Sequence, residues 1–136
     1  MNKTELVMLR SARPEDTNFI LATWLRGMYY GDSVYSDVPK GIFMDKYHKV
    51  IDFIIKNSNT KITVACLKED EDVILGYSVI AKKENALHWA FTKKSWRGIG
   101  IARDLVPSDL KTVTNLTKIG LSIVKKKELT FDPFIV

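Results

Sequence analysis

The chain has 136 residues, with 21 lysines and arginines against 16 aspartates and glutamates, which gives a net charge of +5 and a pI of about 9.3. This length and a hydrophobic fraction of 46% predict one globular domain spanning residues 1–136. The single cysteine, Cys66, excludes an internal disulfide, and no cysteines and histidines have the spacing of a metal site. Neither a signal peptide nor a membrane span is recognisable, so we expect a reducing, cytoplasmic setting.

The first half of the chain predicts one strand and two helices. Residues 5–9 form a short apolar segment, as in a strand. Residues 14–16 combine a proline with two acids, which is typical of a helix start. Apolar residues recur at helical spacing to about Gly27 and again over residues 43–55. Between the two helices, residues 28–41 lose this periodicity and predict an aromatic-rich loop. The tyrosines of that loop are Tyr29, Tyr30 and Tyr35.

The second half predicts most of a β-sheet. Three apolar segments with short connections indicate an antiparallel meander. They are residues 62–67, 73–81 and 86–92. A glycine-rich turn then leads into an apolar helical segment, residues 101–106, which Pro107 ends. Beyond it we expect a short strand, a last helix and an edge strand, at residues 112–115, 116–126 and 129–134.

The most informative stretch is the turn Arg97-Gly98-Ile99-Gly100-Ile101-Ala102. A glycine-rich turn between a strand and a helix points backbone N–H groups outward at the helix N-terminus, where the positive end of the helix dipole also favours an anion. Gly98 and Gly100 let a phosphate approach without an intervening Cβ, and Arg97 adds a permanent charge. Taken alone, the pattern also fits an ordinary turn that uses glycine for geometry only.

In its context the turn resembles the signature of the GNAT superfamily, the acetyl-CoA-dependent N-acetyltransferases. That signature is Gln or Arg, two free residues, Gly, one free residue, then Gly or Ala, between the fourth strand and the third helix. Arg97, Gly100 and Ala102 fill its fixed positions. Residues 10–16 resemble the family's first strand running into its first helix, and residues 75–77 resemble the start of its third strand.

The resemblance covers residue 9 to about residue 106. With the order of the predicted elements, it implies an α/β (α+β) fold, with a central mixed, mostly antiparallel sheet, helices on both faces and a shortened C-terminal part. The short chain and its ending at residues 131–134 are similar to bacteriophage-encoded members of the family.

The resemblance also implies a cofactor site and an activity. Acetyl-CoA would be the co-substrate, with its diphosphate on the amides of the turn and its pantetheine arm along the fourth strand. The acetyl thioester would lie where the fourth and fifth strands splay apart, and a primary amine would attack it directly. The residues implied to bind the cofactor are Phe91, Thr92, Arg97, Gly98, Ile99, Gly100, Ile101 and Ala102.

His88 is the candidate catalytic residue, because related arylalkylamine acetyltransferases carry a histidine for proton removal at the corresponding position of the fourth strand. Strand alternation places His88, Ala90 and Thr92 on one face. A histidine with a near-neutral pKa could take a proton from an ammonium group, whereas a half-exposed histidine without a catalytic role is the alternative. All five tyrosines precede the turn, so the tyrosine that often serves the family as general acid is absent.

Several further readings stay open. Asp32 and Asp37 could receive a cationic amine beside the loop tyrosines, or the loop could only cap a core. We expect Cys66 to be a buried structural thiol and His48 to be solvated. A GNAT-fold protein without catalysis, binding or regulating a macromolecular partner, is the alternative function. The positive charge permits nucleic-acid binding, but no motif supports it. The acceptor and the oligomeric state, a homodimer included, are not determined by the sequence.

Overall fold

The computed structural model of the chain describes residues 3–31, 34–115 and 128–136. Three α-helices are present in these ranges: α1 (Thr17–Tyr30), α2 (Lys40–Lys56) and α3 (Ile101–Leu105). The strands are β1 (Val7–Ser11), β2 (Thr60–Leu67), β3 (Ile74–Ala81), β4 (Ala86–Thr92), β5 (Thr112–Val113) and β6 (Thr130–Phe131). The predicted helix at residues 116–126 lies outside the described residues. No helix in the described ranges is long and apolar enough to cross a membrane.

The six strands form one sheet in chain order. β1 to β4 pair antiparallel, and β4–β5 and β5–β6 pair parallel. All eight residues of β3 are buried, because both faces of this strand are covered. The predicted mixed, mostly antiparallel sheet is therefore confirmed.

Helices cover both faces of the sheet, as predicted. α1 and α2 lie on one face, where Ile20, Trp24 and Met28 repeat every four residues and bury one side of α1. α3 lies on the other face, where Ile101 and Leu105 pack with residues of β2 and β3. These two apolar layers enclose the centre of the sheet at β2 and β3, and the candidate site begins at the end of the neighbouring strand β4.

The predicted end of the first helix near Gly27 is wrong. α1 continues to Tyr30, so Tyr29 and Tyr30 belong to the helix and not to a loop. Gly27 lies inside the helix where α1 approaches β4, and a Cβ added there would be 2.6 Å from Cζ2 of Trp89. Glycine at this position therefore permits close packing and does not terminate the helix.

The start of the chain also differs from the prediction. Residues Lys3–Leu6 form a short 3-10 helix, and β1 begins only at Val7. Arg10, near the end of β1, forms a bidentate ion pair with Asp16, with N–O distances of 2.7 and 3.0 Å. Both side chains are buried. The backbone N–H of Arg13 also donates to Asp16, so this carboxylate ties the first strand to the start of α1.

Candidate active site

Two glycines shape the turn between β4 and α3. Gly98 has φ +84° and Gly100 has φ +93°, both in the left-handed region that side chains with a Cβ adopt only under strain. A Cβ on Gly100 would also lie 2.5 Å from the guanidinium of Arg103, so that side chain folds back over the turn. The two glycines of the predicted motif are thus required by the backbone conformation.

Most amides of the turn have no hydrogen-bond partner within the described residues. The N–H of Arg97 donates to the carbonyl of Lys94, and the next described N–H with a partner outside the helix is that of Asp104, which donates to Gly100. Between them, the N–H groups of residues 98–103 have no hydrogen-bond partner among the described residues. This leaves a run of donors at the start of α3 that an anion could accept.

The helix behind the turn is short. α3 has five residues and ends where Val106 turns extended before Pro107, as the proline predicted. Five residues sum to a small dipole, so the amides themselves, rather than the helix dipole, supply most of the attraction for an anion. Arg103 adds a guanidinium that the sequence did not identify as part of the site. Its position three residues after Gly100, in the first helical turn, was the available signal.

In the described part of the chain, the edge of β4 that faces away from β3 is unpaired beside this turn. The N–H of Lys93 donates to Leu75 at 2.8 Å, and alternation along the antiparallel ladder makes Phe91 and Trp89 the residues that bond β3. The peptide groups of Ala90 and Thr92 therefore point toward β5. β5 pairs only with Ala86 and Leu87, so in the described part of the chain the ladder does not reach them.

The two predicted strand residues of the cofactor site differ in what they offer. The carbonyl of Thr92 lies on the open edge and accepts a hydrogen bond from Nε of Arg97 at 3.0 Å. Phe91 bonds β3 through its backbone, and its ring packs with those of Phe19 and Tyr77. Of the two, Thr92 has the peptide group that faces away from β3, and an added extended chain could pair with it once Arg97 releases the carbonyl.

His88 lies in a β-bulge. The register between β3 and β4 passes from Val79–Trp89 to Ile80–Leu87, so His88 is the extra residue. The simple alternation that grouped His88 with Ala90 and Thr92 is therefore interrupted.

The alternative of a half-exposed His88 is wrong, because the residue is only 2% exposed. Its Nδ1 lies 2.7 Å from the hydroxyl of Thr114, and its Nε2 has no partner among the described residues. Burial in a poorly solvated environment lowers the pKa of His88 to about 4, so the ring is neutral at pH 7.

A cavity of about 750 Å³ lies against α2, the end of β5 and the C-terminal residues, and His88 is part of its wall. Thr114, Asn115 and Tyr47 form the rest of its polar corner, and the remaining wall is mostly apolar. The apolar lining residues are Met28, Val38, Ile42, Phe43, Val50, Phe53, Ile54, Phe131, Pro133, Ile135 and Val136. Tyr35 also contacts the cavity, and Lys46 and Lys49 are the charged side chains of the described wall.

Other predicted residues lie outside this arrangement. Asp37 is exposed and is not part of the cavity wall, and Asp32 falls outside the described residues. Cys66 is buried and His48 is exposed, as expected. No group of acidic, histidine or cysteine side chains in the described residues could hold a metal ion. The amides of the glycine turn, the unpaired edge of β4 and the polar corner of the cavity are the features of the described residues that a ligand could use.

Comparison with known proteins identifies the fold of the chain. No family model and no curated protein matches the sequence. A predicted acetyltransferase from Clostridium acetobutylicum, solved with acetyl-CoA, matches with a TM-score of 0.61 at 14% identity, over 96% of this chain and 94% of that one. A candidate acetyl transferase from Pyrococcus furiosus matches with a TM-score of 0.59 at 14% identity, over 90% and 77%.

A third similar structure is AAC(6')-Iy in complex with a bisubstrate analogue of CoA and monomethyl-acetylneamine. It has a TM-score of 0.51 at 15% identity, over 93% of this chain and 90% of that one. The chain spans 61% to 66% of the length of four further matching structures. The chain therefore has the GNAT fold, as the resemblance in its sequence implied.

Proposed function

We propose that the protein is an N-acetyltransferase that moves the acetyl group of acetyl-CoA to a primary amine. One observation carries the proposal: the N–H groups of residues 98–103 lie unpartnered, among the described residues, beside the open end of β4. A diphosphate accepts hydrogen bonds from such a run of amides, and the guanidinium groups of Arg97 and Arg103 add positive charge. The GNAT fold of the chain, shared with a structure solved with acetyl-CoA, supports the same cofactor.

The parts of the proposed site follow one another along β4. The turn at residues 97–102 would hold the diphosphate, and the peptide groups of Thr92 and Ala90 would bond the pantetheine arm. His88 precedes Thr92 by four residues, which is about 13 Å at the usual rise per residue of a strand. An extended arm on this edge would therefore run from the turn toward the cavity that contains His88, and for this arm the side chain of Arg97 would have to release the carbonyl of Thr92.

The chemistry needs little from the side chains. Acetyl-CoA would supply an activated thioester: the amine nitrogen would bond to the acetyl carbon and lose a proton, and the C–S bond would break so that CoA leaves as its thiol. The peptide N–H groups of β4 that face away from β3 can polarise the carbonyl oxygen, and holding the two reactants together supplies much of the rate. The low pKa of His88 makes it a weak base and its Nε2 is buried, so the amine would have to arrive uncharged.

Release of CoA across a panel of amines tests the proposal. Turnover with any amine that depends on acetyl-CoA supports it, and Gly100→Ala should abolish this turnover while Gly41→Ala, a glycine of α2 with open space around it, should not. Acetyl-CoA binding without turnover on the whole panel would contradict it.

A second function is favoured by exposed apolar side chains. Phe53 is 61% exposed on α2 and Phe134 is 87% exposed near the chain end, and both are large. Where exposed apolar side chains form a contiguous patch, that patch often contacts another macromolecule. Binding of acetyl-CoA without CoA release would therefore favour a regulatory GNAT-fold protein. The aromatic residues that the sequence suggested for such a contact are less exposed, apart from Tyr30.

A further inference from the structure

We infer that the cavity beside α2 binds the acceptor, and that this acceptor is an apolar amine without charge at pH 7, of the aniline type. The inference rests on the proposed function in treating the ligand as the acetyl acceptor, whereas the chemical class of the ligand is argued from the cavity itself. A volume of about 750 Å³ is typical of a pocket for a small molecule, and its wall is apolar apart from one corner.

The polar corner is held in place by its own hydrogen bonds. Asn115 accepts from the hydroxyl of Tyr47 at 2.9 Å and donates to the carbonyl of His88 at 2.9 Å. Thr114 holds Nδ1 of His88 at 2.7 Å. The ring therefore cannot rotate to find a partner for Nε2, which is the atom of this corner that stays unpartnered among the described residues.

The side chains of this corner carry no charge and are tied to one another. The amide of Asn115 and the hydroxyls of Tyr47 and Thr114 are fixed by the hydrogen bonds just described, and none of them offers a carboxylate to a cation. A ligand with a neutral polar group and an apolar body therefore matches this wall.

The charges of the wall argue against a cationic ligand. Its charged side chains, among the described residues, are Lys46 and Lys49, and it contains no aspartate or glutamate side chain. An ammonium group would enter an apolar space without a carboxylate partner and beside two cations, which costs free energy. Alkylamines and polyamines are protonated at pH 7, whereas an aniline is neutral and keeps its N–H groups. The cavity therefore favours the aniline class.

Two probes of similar size separate these cases. 4-Butylaniline is neutral at pH 7 and 4-butylbenzylamine is a cation, and their dissociation constants are measured by calorimetry at pH 7, with and without CoA. We expect the aniline to bind at least about tenfold more tightly. Equal affinity, tighter binding of the benzylamine, or no binding of either probe would overturn the inference.

A matched pair of variants tests the location and the cause. Val50 lines the cavity and is exposed at 45%, so its replacement leaves the core intact. Val50→Glu adds a carboxylate and should reduce the preference for the aniline about tenfold, whereas Val50→Gln, equal in length and uncharged, should preserve it. An unchanged preference in Val50→Glu would place the ligand elsewhere and overturn the assignment to this cavity.

The two proposals fail separately. If the protein binds acetyl-CoA and acetylates other amines but neither probe binds, only the ligand class is wrong. If 4-butylaniline binds in the cavity and acetyl-CoA does not bind, the acetyltransferase function is wrong and the cavity keeps its ligand class.

Discussion

Gly27 and Trp89 are in such close contact that a single methyl group on Gly27 would lie 2.6 Å from Cζ2 of the indole. The same indole stacks on Trp24, with ring centroids 6.2 Å apart and planes 7° from parallel. Trp89 is thereby held between two consecutive turns of α1. This packing fixes the helix on β4, the strand that leads to the glycine turn.

Gly27→Ala should therefore destabilise the protein by about 1–3 kcal/mol, because the added methyl overpacks the contact with Trp89 by more than the alanine gains in helix propensity. Gly41→Ala is the control, since a Cβ at that position of α2 meets nothing within 4 Å. Urea unfolding of the three proteins checks the prediction. Equal stability of Gly27→Ala and the wild type would show that α1 can move away from β4 without cost.

Asp16→Asn should destabilise the protein by about 2–4 kcal/mol, since it leaves the buried guanidinium of Arg10 without its carboxylate. The variant should also change the response to acid. The ion pair with Arg10 holds the pKa of Asp16 below its ordinary value of 3.8, so this carboxylate stabilises the folded state above that pH and the contribution is lost as the pH falls further.

The measurement is the free energy of unfolding against pH from 6 down to 2 for the wild type and Asp16→Asn. The wild type should lose stability below about pH 4 more steeply than the variant. Parallel curves would mean that Asp16 takes up no proton when the protein unfolds in acid, which would contradict a lowered pKa of Asp16 in the folded state.

His88 should make stability depend on pH in a different window. Its pKa of about 4 in the folded state lies below the ordinary 6.5, so between these values the unfolded chain binds the proton and the folded one does not. Stability should therefore rise with pH from 4 to 6.5, by about 3 kcal/mol at most. His88→Gln should flatten this part of the curve, with His48→Gln as the matched loss of a histidine. An unchanged slope in His88→Gln would contradict a buried, neutral His88.

Arg103→Ala should weaken acetyl-CoA binding about tenfold, and more at low salt than at high salt, because this guanidinium lies over the glycine turn. Arg26→Ala removes the same charge from an exposed position on α1 and is the control for net charge. Titration calorimetry at two salt concentrations checks the prediction. A similar effect of both variants would indicate that only the overall charge matters.

The sequence predicted the parts of the fold that depend on local patterns. The signature at residues 97–102 predicted a turn that needs glycine, and both of its glycines are left-handed. Pro107 predicted where α3 ends. Gly27 was misread because a glycine can end a helix or let another element approach, and only the partner, Trp89, decides between these. Alternation could not foresee the bulge at His88, since an extra residue in a strand depends on the register of its neighbour.

The cavity could not be predicted for a related reason. Its walls come from α2, from the end of β5 and from the C-terminal residues, which are distant in sequence and meet only in the folded chain. Periodicity identified the buried side of α2 at Phe43 and Tyr47. It did not identify the exposed Val50 and Phe53 as wall residues, because isolated apolar side chains on a surface are common.

The stabilisation of the folded protein by acetyl-CoA tests the central claim most directly. At a hundred times its dissociation constant, a cofactor that binds only the folded state adds about 2.7 kcal/mol. We expect this gain in the wild type and in Gly41→Ala, and its loss in Gly100→Ala, where the new Cβ strains the turn and displaces Arg103. No gain in the wild type, or an equal gain in Gly100→Ala, would contradict a cofactor site on the amides of the turn.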